Sequence, residues 1–311
     1  MVGVRIGDRV VVRRTVGQAD GRARLTDVLG ELRATDAGAL TVRRDNGEVV
    51  TIPSSEIVAA KTIPAKPTSY RAIAALERAC AATWPARHTR RLGAWLLRAT
   101  AGWTNRANTV LALGDPGVDL DAALGEVAEW YGAQGLPSGF AVPLPLAKRL
   151  ATDLERRGWY ATHTVEVMTA DVDSLRGNAF SVRIDSRPSP EWLEVAAANK
   201  GDLPEAALSV LGSGDDRAFA TIHHDGHLVA TGRGAVADDV VVMSLLEVAP
   251  SARRQGLARQ LIAGLATWAA ATDDATRACV QVESDNAPAL ALYRGLGFTD
   301  HHRYVNLRQK S

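Results

Sequence analysis

Twice along this 311-residue chain a helical stretch ends in glycine, then an aromatic residue, then a strand. Leu146–Arg156 leads to Gly158-Trp159, and Ala287–Leu296 leads to Gly297-Phe298. Strands, a long helix and another strand precede each ending. Recurrence of a whole order of elements, at low identity, reads as a tandem duplication. It predicts two similar α+β halves, residues 70–173 and 174–311. Residues 1–63 carry no such order.

That first segment shows only short β-branched runs with turn residues between them. Strands are expected at Arg9–Arg14, Asp27–Arg33, Ala39–Arg44 and Val49–Ile52, with Asp45-Asn46-Gly47 as a hairpin turn between the last two. Five short strands in so few residues predict a small barrel. Pro64-Ala65-Lys66-Pro67-Thr68-Ser69 follows as a linker. In the first half, helices are expected at Tyr70–Thr83, Leu120–Tyr131 and Leu146–Arg156. Strands are expected there at Ala94–Arg98, Thr109–Leu113, Phe140–Val142 and His163–Thr169. In the second half the strands are Val182–Ile184, Ala218–His223, Leu228–Val236, Val240–Val248, Ala278–Val282 and His302–Leu307. The helices are Pro190–Ala198, Pro204–Leu211, Gln255–Ala271 and Ala287–Leu296.

Composition narrows the function classes. A net charge of +1 gives no global field toward nucleic acid. Residues 1–62 hold ten Lys/Arg against eight Asp/Glu, so the barrel gives nucleic acid no support either. No apolar run approaches the ~20 residues of a membrane span. The N-terminus has no basic region ahead of an apolar one, so a cytoplasmic protein is expected. Cys80 and Cys279 sit in no metal or redox spacing and read as partly buried, reduced thiols. No metal site is expected.

The chemistry begins where the strand Leu245–Val248 ends at Ala249-Pro250. Arg253, Arg254, Gln255, Gly256, Leu257 and Ala258 then lead into a helix. First-turn amides have no intrahelical partner, and the helix dipole adds partial positive charge. Gly256 allows close approach to the backbone, and two arginines add formal charge. Such a turn is built for a pyrophosphate. It is neither a P-loop, lacking Gly-Lys-Ser/Thr, nor a Rossmann fingerprint, lacking Gly-x-Gly-x-x-Gly. One helix and one strand downstream comes Gln281-Val282-Glu283-Ser284-Asp285-Asn286, then Leu292-Tyr293 and Gly297-Phe298. Asn286 and Tyr293 are two helical turns apart and share a face.

These two stretches resemble the signatures of the GCN5-related N-acetyltransferase (GNAT) superfamily: Arg/Gln-x-x-Gly-x-Gly/Ala for the coenzyme A pyrophosphate, then strand, Asn, Leu-Tyr, Gly-Phe. The resemblance covers about residues 181–307. With the tandem halves it implies mixed sheets flanked by helices, and the first segment looks like the SH3-like barrels that precede some actinobacterial acetyltransferases. It further implies acetyl-coenzyme A as co-substrate. Cofactor contacts would fall at Leu246, Glu247, Val248, Arg253, Arg254, Gln255, Gly256, Leu257, Ala258, Asn286, Ala289 and Tyr293. Tyr293 would protonate the leaving thiolate, and two splayed strands would free amides for the pantetheine arm.

The base is open. Strand alternation puts Glu247 on the face opposite Leu246 and Val248, where it could deprotonate the amine. Glu283, at the next strand end, is the second candidate and could also touch substrate. His223 and His224 read as surface histidines. The acceptor could be a small amine, an amino acid such as glutamate, or a protein lysine or N-terminus. An amino acid would call for an arginine in the cleft, with Arg233 available. The matching turn of the first half, Gly114–Asp121, holds three aspartates and should repel a pyrophosphate. The alternative is a non-catalytic acetyl-coenzyme A sensor that recruits a partner through its barrel. The sequence is silent on oligomeric state.

Overall fold

A computed structural model describes residues 4–19, 21–36, 38–64, 68–200, 203–212, 216–272 and 275–309. The centre of the expected linker, residues 65–67, lies outside them. The chain divides into two compact units, 1–67 and 68–311.

The first unit is a small all-β domain of β1 (Arg9–Ala19), β2 (Arg22–Thr35), β3 (Ala39–Arg43), β4 (Val49–Pro53) and β5 (Ile57–Thr62), in the order β4-β3-β2-β1-β5. Alternate side chains bury one face: Val10, Val12, Val28, Leu32, Leu40, Val42 and Ile52 form its core. The β3–β4 hairpin turns where expected. Gly47 takes φ +87°, and Asn46 Oδ1 accepts from the Glu48 amide at 3.1 Å. β1 and β2 run well past the predicted stretches. Their extensions are largely exposed and polar, so no apolar alternation marks them.

The second unit is built on one mixed sheet. Its strands are β6 (His88–Leu92), β7 (Trp95–Ala99), β8 (Val110–Ala112), β9 (Gly139–Leu144), β10 (Trp159–Asp171), β11 (Arg183–Asp185), β12 (Arg217–His224), β13 (His227–Ala237), β14 (Val240–Val248), β15 (Arg277–Glu283) and β16 (Thr299–Gln309). The helices are α1 (Tyr70–Ala82), α2 (Leu120–Ala133), α3 (Lys148–Arg156), α4 (Val172–Leu175), α5 (Pro190–Lys200), α6 (Glu205–Gly212), α7 (Leu257–Thr272) and α8 (Ala287–Gly295). The sheet order is β11-β12-β13-β14-β15-β10-β16-β9-β8-β7-β6.

That order shows how the two halves meet. In the second half β14 pairs parallel with β15; in the first, β8 pairs parallel with β9. The last strands are exchanged. β10, from the first half, pairs with β15, and β16, from the second, pairs with β9. β10 and β16 then pair antiparallel with each other, closing the eleven strands into one sheet. Residues 70–173 and 174–311 thus share a single compact unit.

Helices cover the sheet. α7 lays Leu261, Ile262, Leu265, Ala266 and Ala269 into a core with Ala218, Ala220, Val241 and Met243. α1, capped by Ser69 Oγ accepting from the Ala72 amide at 3.1 Å, packs Leu76 and Cys80 with Val165, Val167, Val240, Val242 and Cys279. Cys80 and Cys279 were expected as unrelated, partly buried thiols; both are fully buried, with their Sγ atoms 3.6 Å apart. α1 crosses onto the second half's sheet, which brings together cysteines remote in sequence.

Candidate active site

Local sequence makes a gap in the sheet at β14. Thr231 of β13 pairs with Glu247, and Arg233 pairs with Ser244, so Leu245 and Leu246 stand opposite the single residue Gly232. This is a β-bulge, with Leu245 at φ +52°. A Cβ at Gly232 would lie 2.8 Å from Leu246 Cδ2, so the leucine packs into space that the glycine leaves. The parallel ladder to β15 ends at Met243–Val280, while β14 continues to Val248. The strands therefore diverge, and the backbone from Ser244 onward leaves that ladder. Leu246 and Val248 pack on the core beneath α7.

A cavity of about 430 Å³ lies at the divergence. β14 supplies Met243–Glu247, β15 supplies Gln281, Val282 and Glu283, and α8 with its cap supplies Asn286, Ala289 and Tyr293. Six residues expected from sequence thus converge: Leu246, Glu247, Glu283, Asn286, Ala289 and Tyr293. Asn286 caps α8, its Oδ1 accepting from the Ala289 amide at 3.2 Å, which leaves Nδ2 for other work. Tyr293 is buried against Phe298, ring centroids 5.5 Å apart. Burial, and secondarily the charge of Glu247, push its phenol up to about 12. A phenol so placed stays protonated at neutral pH and can act as an acid. Gly297 closes α8 at φ +94°.

Val248 and the loop Arg253–Ala258 do not line this cavity; they follow it along the β14–α7 connection. Pro250–Ala252 form a 3₁₀ turn, Arg254 takes φ +65° and Gly256 φ +79°. Helix α7 starts at Leu257, two residues later than predicted, when Gln260 N donates to Gly256 O at 3.1 Å. Gly256 therefore occupies the cap position with no side chain to satisfy the first-turn amides. A Cβ at Gly256 would meet nothing within 4 Å, so the space above the turn is open. Arg253, Arg254 and Gln255 are exposed, and Arg253 Nε donates to Val248 O at 3.3 Å.

The other wall of the cavity was not foreseen. Trp84 and the loop residues Thr104, Asn105 and Arg106 come from the first half, with His163 and Val165 of β10, and Tyr304 and Asn306 of β16. The loop is held by buried Asn108. Its Oδ1 accepts from the Thr100 and Gly102 amides (2.7 and 3.0 Å), and its Nδ2 donates to Trp103 O and Thr104 O (both 2.8 Å). Behind β15, Gln281 Nε2 donates to Glu77 Oε1 at 3.4 Å, and His302 Nε2 lies 2.9 Å from the same oxygen. No motif announces these residues, since they gather from separate parts of the chain.

Arg233, considered above for an amino-acid carboxylate, does not line the cavity. It is buried, donating to Thr83 O (3.1 Å) and Leu211 O (3.4 Å). Burial, then Arg106 and Arg217, pull its guanidinium down to about 9. His223 sits at the surface beside Glu191 (3.3 Å), and His224 is exposed. Among the described residues no group of His, Cys, Asp or Glu could hold a metal ion, and no helix is long and apolar enough to cross a membrane.

A bulged strand diverging from its parallel neighbour, a glycine-capped helix beyond it and a tyrosine in the gap define an acetyltransferase of the GNAT type. Residues 70–307 match the family model "Probable histone acetyltransferase Rv0428c C-terminal", and residues 4–61 match "Rv0428c N-terminal Sm-like domain". The chain belongs to this family, whose first domain is described as Sm-like where the sequence suggested an SH3-like barrel. It is 32% identical over 315 residues to "Probable histone acetyltransferase Rv0428c" of Mycobacterium tuberculosis, covering 96% of this chain and 95% of that one. It is 29% identical over 240 residues to "Uncharacterized N-acetyltransferase YobR" of Bacillus subtilis, covering 73% and 96%. The fold is also that of a GCN5-related N-acetyltransferase from Kribbella flavida, with TM-score 0.59, 21% identity and coverage of 77% and 96%.

Proposed function

We propose that this acetyltransferase moves the acetyl group of acetyl-coenzyme A to a primary amine in a direct ternary complex, at one site in residues 174–311. The observation that carries this reading is the divergence of β14 from β15 beside Tyr293, followed by a glycine-capped, arginine-flanked helix start. Backbone amides from Arg254 to Ala258, with the side chains of Arg253 and Arg254, would hold the pyrophosphate; Gly256 keeps that surface open. Leu246, Glu247 and Val248 would present amides to the pantetheine arm and to the developing oxyanion, an interaction stronger in the transition state than before it.

In the transfer, the amine nitrogen bonds to the thioester carbon and the carbon–sulfur bond breaks. Glu247, directly or through water, takes the proton the amine must lose; Glu283 is its alternate. Tyr293 gives its phenolic proton to the departing sulfur and regains one from solvent. Residues 70–173 serve as a GNAT-like half without a coenzyme A site of its own, and their part is to wall the acceptor side. Acceptors within this reading are small amines, amino acids and protein lysines or N-termini.

The test uses thiol release from acetyl-coenzyme A with a panel of amines. Tyr293→Phe should lower kcat by ~10²-fold or more with coenzyme A affinity kept, as expected for loss of a general acid. Arg253→Glu should instead weaken coenzyme A binding. Tight coenzyme A binding with no turnover of any amine would defeat the reading.

A further inference from the structure

Arg106 is the part of this cavity that acetyl transfer to a plain amine does not use. Its guanidinium lies over the Trp84 ring, 5.2 Å from the centroid. Among the described residues it makes no hydrogen bond and no ion pair, though it lines the cavity and is half-buried. Its buried neighbours differ. Arg98 donates to Thr109 O (3.0 Å) and Oγ1 (3.1 Å), and Arg233 donates to main-chain carbonyls. A half-buried guanidinium stacked on an indole and given no protein acceptor keeps its N–H fork free for a ligand in the same cavity. Its planar fork matches a carboxylate in bidentate fashion. The loop carrying it is anchored by the four bonds of Asn108, and Ala101 and Thr104 are held at φ +47° and +62°. The backbone that carries the cation is therefore held in place before anything binds, and the Trp84 ring gives the guanidinium a face to rest on.

The same cavity holds unfilled acceptors. Gln281 Oε1 and Asn306 Oδ1 are buried with no hydrogen-bond partner. The orientation of Gln281 is fixed, because its Nε2 is committed to Glu77, and Glu77 in turn to His302. Its oxygen can only accept, and a buried lone acceptor calls for an N–H. Glu247 and Glu283 add negative charge from the second half, while Arg106 adds positive charge from the first. The cavity is thus dipolar. A purely cationic acceptor would meet Arg106 with like charge, which disfavours it.

We propose that the first-half wall is a subsite for an acceptor bearing both a primary amine and a carboxylate, of the amino-acid class. Arg106 holds the carboxylate against Trp84, and Gln281 Oε1 takes an N–H of the amine. This rests on the transferase reading above and narrows it to one acceptor chemistry. The degenerate half then selects the substrate that the other half acetylates.

The experiment uses the full chain saturated with coenzyme A. Calorimetry measures binding of the proteinogenic amino acids and their α-amides to wild type, Arg106→Ala and Arg106→Lys. At least one free acid should bind ~10-fold or more tightly than its amide, the scale of a charge-assisted pair. In Arg106→Ala that ratio should collapse toward one, and Arg106→Lys should restore part of it. In thiol-release assays the loss should appear in KM for the acid more than in kcat. Equal binding of acid and amide, no saturable binding of any acid, or preferred turnover of a lysine peptide regardless of Arg106 would overturn the proposal. The two readings fail separately. Acid selectivity through Arg106 without turnover keeps the subsite and removes the transferase reading; amine turnover blind to Arg106 does the reverse.

Discussion

The two halves reach a helix start by the same route and finish it with opposite chemistry. In the second half β14 leads through a turn to α7, whose cap is Gly256, beside Arg253 and Arg254. In the first half β8 leads to α2, whose cap is Asp119, its Oδ1 accepting from the Ala122 amide at 2.9 Å. Asp115 Oδ1 accepts from the Gly117 amide at 2.7 Å in the same turn. One start has no side chain at its cap and is flanked by two exposed arginines. The other satisfies its amides from within and surrounds them with negative charge. On the proposed reading, a shared fold does not by itself confer an anion site; a few residues at the cap would decide it. The first half provides Trp84 and Arg106 for the opposite wall of the cavity.

The strongest way to break this comparison is to give α7 the cap of α2. Gly256→Asp should reduce coenzyme A affinity by ~10²-fold or more, because it sets a negative charge at the amides that the pyrophosphate needs. Gly256→Ala, which carries the strain of a side chain at φ +79° without the charge, should lose less. Unchanged affinity by calorimetry would show that the cap does not decide binding.

The second test sets Tyr131 against Tyr293. Burial pushes both phenols up to about 12, and Tyr304 as well. The unfolded chain releases such protons near pH 10, whereas the fold keeps them. The stability they contribute is complete below pH 10 and is lost as pH rises through about 12. Alkaline unfolding should accompany the rise of phenolate absorbance in that interval, and kcat should show no tyrosine-linked fall below it. The tasks differ. Tyr131 donates to Arg98 O at 2.9 Å, whereas the Tyr293 hydroxyl makes no protein hydrogen bond among the described residues. Tyr131→Phe should cost about 1 kcal/mol of stability and little kcat, the reverse of Tyr293→Phe.

The smallest effect should come from undoing the first half's cap. Asp119→Ala should cost about 1 kcal/mol in thermal unfolding. It should still leave one coenzyme A per chain, since Asp115 and the absence of arginines remain. Two sites by calorimetry would sink the proposed division of labour.

What could be read from the sequence was what the backbone must obey locally. Val240–Val248 is apolar but for Ser244 and Glu247 and was placed to the residue, and Pro250, Gly256, Asn286 and Gly297 punctuate the turns around the cavity and the start of α7. His88–Leu92 was not expected as a strand, because an exposed, basic edge strand has no apolar alternation to reveal it. The exchange of β10 and β16 was also hidden. Periodicity says that a segment is a strand, not which strand it pairs with. Arg106 looked like any loop residue, and Arg233 looked available. Only the packing of α1 and Trp84 shows which of the two meets the cavity.

The crossed-over final strands mean that the chain cannot be trimmed to its second half. Cut at residue 173, the second half would lose the strand that flanks β15, and β16 would stand as a bare edge seeking a mate. Each piece alone should be sticky and poorly soluble. Produced together, the two pieces should find one another and rebuild the seam without a peptide bond between them, as a split protein does.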